Sequence, residues 1–131
     1  MRYVMVTYPS SGHRDWWAAA TAAEKRAHID EIRAWFSTHR ALGRIDGGEE
    51  LGDPTYVKSI RKGSVIDGPF IETKEAIGGF IVLEVPDEAT AIEVASGWPS
   101  LRWDGDVVEL RLAGDSVAEA AVQAADEASG G

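Results

Sequence analysis

Gly79-Phe80-Ile81-Val82-Leu83-Glu84-Val85 is the stretch that decides the fold. At the two-residue period of a strand, Ile81, Leu83 and Val85 fall on one face and Phe80 and Val82 on the other. Both faces are apolar, so both must be covered, which predicts a central strand. Pro86 ends it. Asp87 is a good N-cap for a following helix, with Ala91, Ile92, Val94 and Ala95 as its apolar side and Gly97 as its stop. Working outward, Arg2 to Tyr8 is a second run of this kind, in which Val4, Val6 and Tyr8 alternate with Tyr3, Met5 and Thr7. It too belongs in the middle of a sheet.

Between these two strands, Pro9 to Ala20 has a turn-rich start followed by the pair Trp16 and Trp17. Thr21 and Glu24 form a Thr-x-x-Glu capping box, so a helix is expected from near Ala22. Ile29, Ile32, Phe36 and Leu42 recur at helical spacing, and Gly43 suits the left-handed residue that ends a helix. Arg44 to Leu51, with Gly47-Gly48, reads as a weak edge strand or extended loop. Tyr56 to Arg61 and Ser64 to Asp67 flank Lys62-Gly63 as the arms of a hairpin. Asp67-Gly68-Pro69-Phe70 forces a turn, because proline fixes φ and glycine permits it to be positive. Val107 to Leu112 alternates Val108, Leu110 and Leu112 with Glu109 and Arg111, the pattern of an edge strand with one solvated face. Gly114 to Gly131 is alanine-rich and acidic and is expected to be a frayed helix or a disordered tail.

This order predicts an α+β chain of ferredoxin-like βαββαβ arrangement over residues 1 to 113, with a tail over 114 to 131. Both helices cover one sheet face. The other face stays apolar at the central strands, and a homodimer packed sheet against sheet is the expected way to cover it.

Composition narrows the function. A chain of 131 residues with 44% hydrophobic residues and five Trp closes one core. No apolar run approaches the roughly 18 to 20 residues of a membrane span, and Met1 to Tyr8 has neither the charged leader nor the cleavage site of a secretion signal. A cytoplasmic protein is expected. Cysteine is absent, which removes thiolate chemistry. The net charge of −9, of which the tail supplies −4, opposes nucleic acid and anionic membranes as partners. No dinucleotide fingerprint, phosphate-binding loop or nucleophile elbow occurs, nor a His-x-x-x-His pair, so no cofactor and no metal is expected.

Asp67-Gly68-Pro69-Phe70-Ile71-Glu72-Thr73-Lys74-Glu75, followed by Ile77-Gly78-Gly79-Phe80, resembles the signature of the YCII-related family, in particular its DGPF subgroup. The likeness extends through Gly47-Gly48, Lys62-Gly63, Pro86-Asp87 and Val107 to Arg111, and leaves out only the tail. It implies a dimeric ferredoxin-like α+β barrel with a pocket near the signature loop. In the wider family a helical His and an Asp are regarded as a catalytic pair, one branch resembles a dehydrochlorinase acting on hydroxylated aromatics, and some DGPF members look like companions of sigma-factor systems.

The residues offer candidates of their own, each beside a structural reading. Asp67 at a pocket mouth would be a general base if burial raised its pKa, and is equally what an Asx-type turn needs. His28 on the first helix would assist it, because imidazole titrates near neutral pH, unless it is a surface residue like its rival His39. Gly68, Pro69 and Phe70 would shape the pocket, and Lys74 would meet an anionic ligand or be solvated. Trp17, beside Trp16, would close over a flat ligand or seal a dimer seam. The expected function is a small-molecule pocket with cofactor-free, lyase-type chemistry on an aromatic or acidic substrate; the alternative is an accessory protein that binds a regulator through its acidic surface or tail.

Overall fold

Alternation of apolar side chains on two central strands organises the whole chain, as a computed structural model describing residues 1–52, 57–68 and 77–130 makes plain. In chain order the elements are β1 (Arg2–Tyr8), α1 (Ser11–Ala19), α2 (Ala22–Ala41), β2 (Ile45–Glu50), β3 (Lys58–Arg61), β4 (Ser64–Asp67), β5 (Gly79–Glu84), α3 (Glu88–Ser96), a 3₁₀ turn (Pro99–Arg102), β6 (Val107–Leu112) and α4 (Asp115–Gly130). The main sheet is antiparallel with strand order β2-β5-β1-β6, the ferredoxin-like order, and β3 and β4 form a separate hairpin. The fold is therefore α+β and ferredoxin-like. None of the described helices is long and apolar enough to cross a membrane.

Tyr3, Met5, Ile81, Leu83 and Val85 point under the helices and meet Trp35 of α2 and Ala91, Val94 and Ala95 of α3 in one core. Trp35 joins the two helices directly, donating from Nε1 to the Val94 carbonyl at 3.2 Å and standing edge-on to Trp98 at 5.0 Å. The opposite sheet face carries Val4, Val6 and Tyr8 beside Phe80 and Val82, in cross-strand pairs Val4 with Val82 and Val6 with Phe80, and these side chains remain partly exposed.

Local signals set the helix ends. Thr21 and Glu24 close the capping box reciprocally at 3.0 and 3.1 Å, and Asp87 caps α3 by accepting from the Thr90 N–H at 2.8 Å. After α2, Gly43 takes a φ of +68°. Two features differ from the sequence reading, and a third chooses between the two options it left for the tail. Ser11–Ala19 is a helix rather than a turn, although it buries none of its residues, because Ser10 caps it. The buried line of α2 is His28 and Trp35, with Ile29 and Phe36 at its margin. Finally, Asp115–Gly130 is one helix along its length and buries nothing.

Candidate functional site

Where β1 ends, the chain turns through Pro9 into Ser10, the N-cap of α1, whose Oγ accepts from the His13 N–H at 3.2 Å. Ser10 in turn donates its own N–H to Asp106 Oδ1 at 2.7 Å, and the second oxygen, Asp106 Oδ2, lies 2.8 Å from His13 Nδ1. One carboxylate thus anchors the positive end of a helix and holds an imidazole. The first duty is structural and would exist without any chemistry. Asp106 owes its place to a turn, closed by its N–H to the Trp103 carbonyl at 3.2 Å, in which Gly105 takes a φ of +89° that other residues rarely adopt. The Asp106 side chain is 4% exposed and that of His13 15%.

Aromatic rings fix the imidazole's orientation. His13 stacks on Trp103 at 4.0 Å with the planes 2° apart. His28 stands edge-on to Trp103 at 5.0 Å, to His13 at 5.5 Å and to Trp16 at 5.7 Å. With Nδ1 of His13 engaged by a carboxylate, its proton sits there and the Nε2 lone pair is the basic position. No hydrogen bond engages that Nε2 among the described residues.

His28 is a different kind of group. It is 3% exposed, its Nδ1 lies 3.3 Å from Arg102 Nη2, and its Nε2 lies 3.5 Å from Ser100 Oγ. A guanidinium only donates, so Nδ1 must accept, and the proton of the neutral ring sits on Nε2, facing Ser100. Burial first, then the nearby Arg102 and His13, hold its pKa below the ordinary histidine value, against the opposing pull of Glu31 and Asp106. Arg102 is held from three sides: Nη1 bonds Glu31 at 2.9 and 3.1 Å, and the guanidinium lies 4.3 Å from the Trp103 ring and 5.6 Å from Trp16. Beside the pair runs an open groove of about 480 Å³ between α3 and β6, where Ile92, Ala95, Leu101, Val108 and Leu110 lead up to Asp106.

The sequence candidates scatter around this corner. Asp67 ends β4 and pairs with Lys58 across the hairpin, its side chain 86% exposed. Among the described residues it is not one of the side chains that touch His28. Those come from α1, α2 and residues 100–106. Gly68 closes the hairpin base at a φ of +103°, donating to the Val57 carbonyl at 2.8 Å and accepting from Ser59 Oγ at 2.6 Å. Pro69, Phe70 and Lys74 lie outside the described residues. Trp17 is 39% exposed beneath the Lys25 ammonium, so its neighbour Trp16 is the member of the pair that meets His28. His39 packs edge-on to Trp35 at 4.8 Å, away from this cluster, with its pKa lowered first by burial and then by Arg44.

His13, Asp106, Trp103 and Arg102 escaped the sequence reading. Trp103-Asp104-Gly105-Asp106 has turn composition, and a carboxylate in a turn looks solvated until a strand end and a helix start close over it. The signature segment does return to this end of the sheet. Gly78 donates to the Thr7 carbonyl at 2.7 Å, and a Cβ there would lie 2.8 Å from Pro9 Cδ, one residue before the cap of α1.

Among solved structures, 5-chloro-2-hydroxyhydroquinone dehydrochlorinase from Burkholderia phenoliruptrix, in complex with 2,5-dihydroxybenzoquinone, is similar at 16% identity and a TM-score of 0.44, over 88% of this chain and 97% of that one. No curated protein matches the sequence. The YCII-related domain matches residues 1–112, from the start of β1 to the end of β6. By that match the chain belongs to the YCII-related family.

Proposed function

We propose that this chain, a member of the DGPF branch by its signature, binds a small aromatic or acidic molecule and abstracts a proton from it, with His13 as general base and Asp106 as the carboxylate that orients it. The observation that carries the reading is the part-buried Asp106–His13 pair at 2.8 Å, with Asp106 on the wall of an open groove. A carboxylate on Nδ1 fixes the tautomer that leaves Nε2 basic, and it stabilises the imidazolium that forms when the proton arrives. Arg102, held over Trp103 and Trp16, supplies positive charge beside an anion formed on proton loss. His28 is a positioning residue: buried and neutral, it braces Trp103 and His13 rather than meeting substrate. A lyase-type step suits this set, because removing a proton from a hydroxylated aromatic lets a leaving group depart from the same molecule.

The test is turnover of a panel of hydroxylated and halogenated aromatics, followed by product formation and halide release, on His13→Gln, Asp106→Asn and Asp67→Asn proteins. His13→Gln is expected to abolish turnover and Asp67→Asn to keep it. The reverse pattern would return the base to Asp67.

The working form is a homodimer in this proposal, its interface the sheet face that carries Val4, Val6, Tyr8, Phe80 and Val82. An accessory role is the second reading. It is favoured by α4, an acidic helix that buries none of its residues. Deleting residues 114–131 separates the two: catalysis survives the deletion if the groove is the site.

A further inference from the structure

Helix α1 differs from α2 and α3 in what holds it. Those two send residues into the core, whereas α1 buries none of its nine residues. Its ends are tethered: Pro9 continues from β1, and Ala20 leads directly into Thr21, whose capping box starts α2. Between the tethers it rests on the candidate site itself. Ser10 and His13 meet Asp106, His13 stacks on Trp103, and Trp16 lies 5.0 Å from Trp103 and 5.6 Å from the Arg102 guanidinium.

What α1 covers is His28. The rings of His13 and Trp16 stand edge-on to that imidazole and help to keep it buried. An element with few buried apolar contacts belongs to the low end of local stability and opens without the rest of the fold. Gly12, near the start of α1, weakens it further, because glycine inside a helix loses more backbone entropy than alanine does. No close approach requires glycine there, since a Cβ would meet only Ser10 Oγ, at 3.9 Å.

We propose that α1 is a lid that carries the base: residues 11–19 unwind between their tethered ends, parting His13 from Asp106 and uncovering His28, and rewind to reassemble the pair over an entering molecule. The catalytic constellation is then complete only when the lid is down. What the lid accomplishes rests on His13 being the base, as proposed above; that it opens rests on the packing of α1 alone.

Native-state hydrogen exchange on the full chain tests the opening. Carbethoxylation of His28 by diethyl pyrocarbonate, read by peptide mass spectrometry under single-hit conditions, tests what the opening uncovers. Amides of Arg14 to Ala19 are expected to be at least about tenfold less protected than those of β1 and β5, with His28 protected from the reagent to the same degree as the α1 amides. Gly12→Ala, which strengthens the helix without replacing a residue of the site, is expected to raise both protections about fivefold, and Ala18→Gly to lower both by a similar factor. Amides of α1 as protected as those of β1 and β5 would overturn the lid, and so would a His28 as protected as those strands. Neither result touches the assignment of His13, which the turnover of His13→Gln decides.

Discussion

Two aspartates, Asp67 and Asp106, each lie next to a glycine in a turn beside a strand, and the sequence reading singled out Asp67 as a base or turn residue while passing over Asp106. The Asp106 side chain is 4% exposed with both oxygens engaged, by Ser10 and by His13; that of Asp67 is 86% exposed and, among the described residues, meets the Lys58 ammonium. The difference is what closes over each turn. A strand end, a helix cap and three aromatic rings converge on residues 103–106, whereas the other turn caps a hairpin that projects into solvent. A carboxylate acquires chemistry when its surroundings dry it and hand it a partner.

The comparison breaks first under substitution of the two acids. Asp106→Ala strands the Ser10 N–H and the His13 Nδ1–H in a part-buried site and is expected to cost roughly 1 to 3 kcal/mol of stability by urea unfolding. Asp67→Ala removes an exposed ion pair and is expected to leave the urea midpoint unchanged. Equal losses at the two positions would mean that the corner is no better built than the hairpin.

Glycines on the two sides sharpen the contrast. Gly78→Ala drives a Cβ to 2.8 Å from the rigid Pro9 ring and is expected to cost about 1 to 3 kcal/mol, disturbing the Ser10 cap with it. Gly68→Ala meets open space but must hold a φ of +103°, so about 1 to 2 kcal/mol of backbone strain is expected, confined to the hairpin. Amide exchange near His13 should quicken in the first variant and not in the second.

A smaller effect is set by pH. His28 has a folded pKa below its ordinary 6.5, so below that pH the unfolded chain takes up a proton that the folded chain refuses. Its contribution to stability is whole above about pH 6.5 and is lost as the pH falls toward the folded value. Arg102→Gln removes the second cause of the depression and leaves Glu31 to favour the charged ring, so the acid-side loss is expected to shrink. Urea midpoints compared across that range measure it; a steeper loss in the variant would refute the assignment of Nδ1 as acceptor. His13→Gln keeps a polar side chain on the Trp103 face and should move the urea midpoint little while abolishing turnover.

How much could be read in advance follows the range of the forces involved. Periodicity and caps are local, and so the two central strands, the Thr21–Glu24 box, the Asp87 cap, the Lys62-Gly63 turn and the edge positions of β2 and β6 were legible from neighbouring residues alone. Helix α1 was not, because nine residues that bury nothing carry no apolar stripe, and its N-cap is held by a carboxylate 96 positions away. The sequence by itself determined a ferredoxin-like α+β chain with an apolar sheet face, since alternation and capping depend on spacing along the chain. Only the tertiary structure decided which acid is withdrawn from solvent, that His28 is buried while His13 meets Asp106, and that Trp16 rather than Trp17 belongs to the cluster. Those facts depend on desolvation and on partners brought together across the fold, and nothing in the spacing of residues along the chain encodes them.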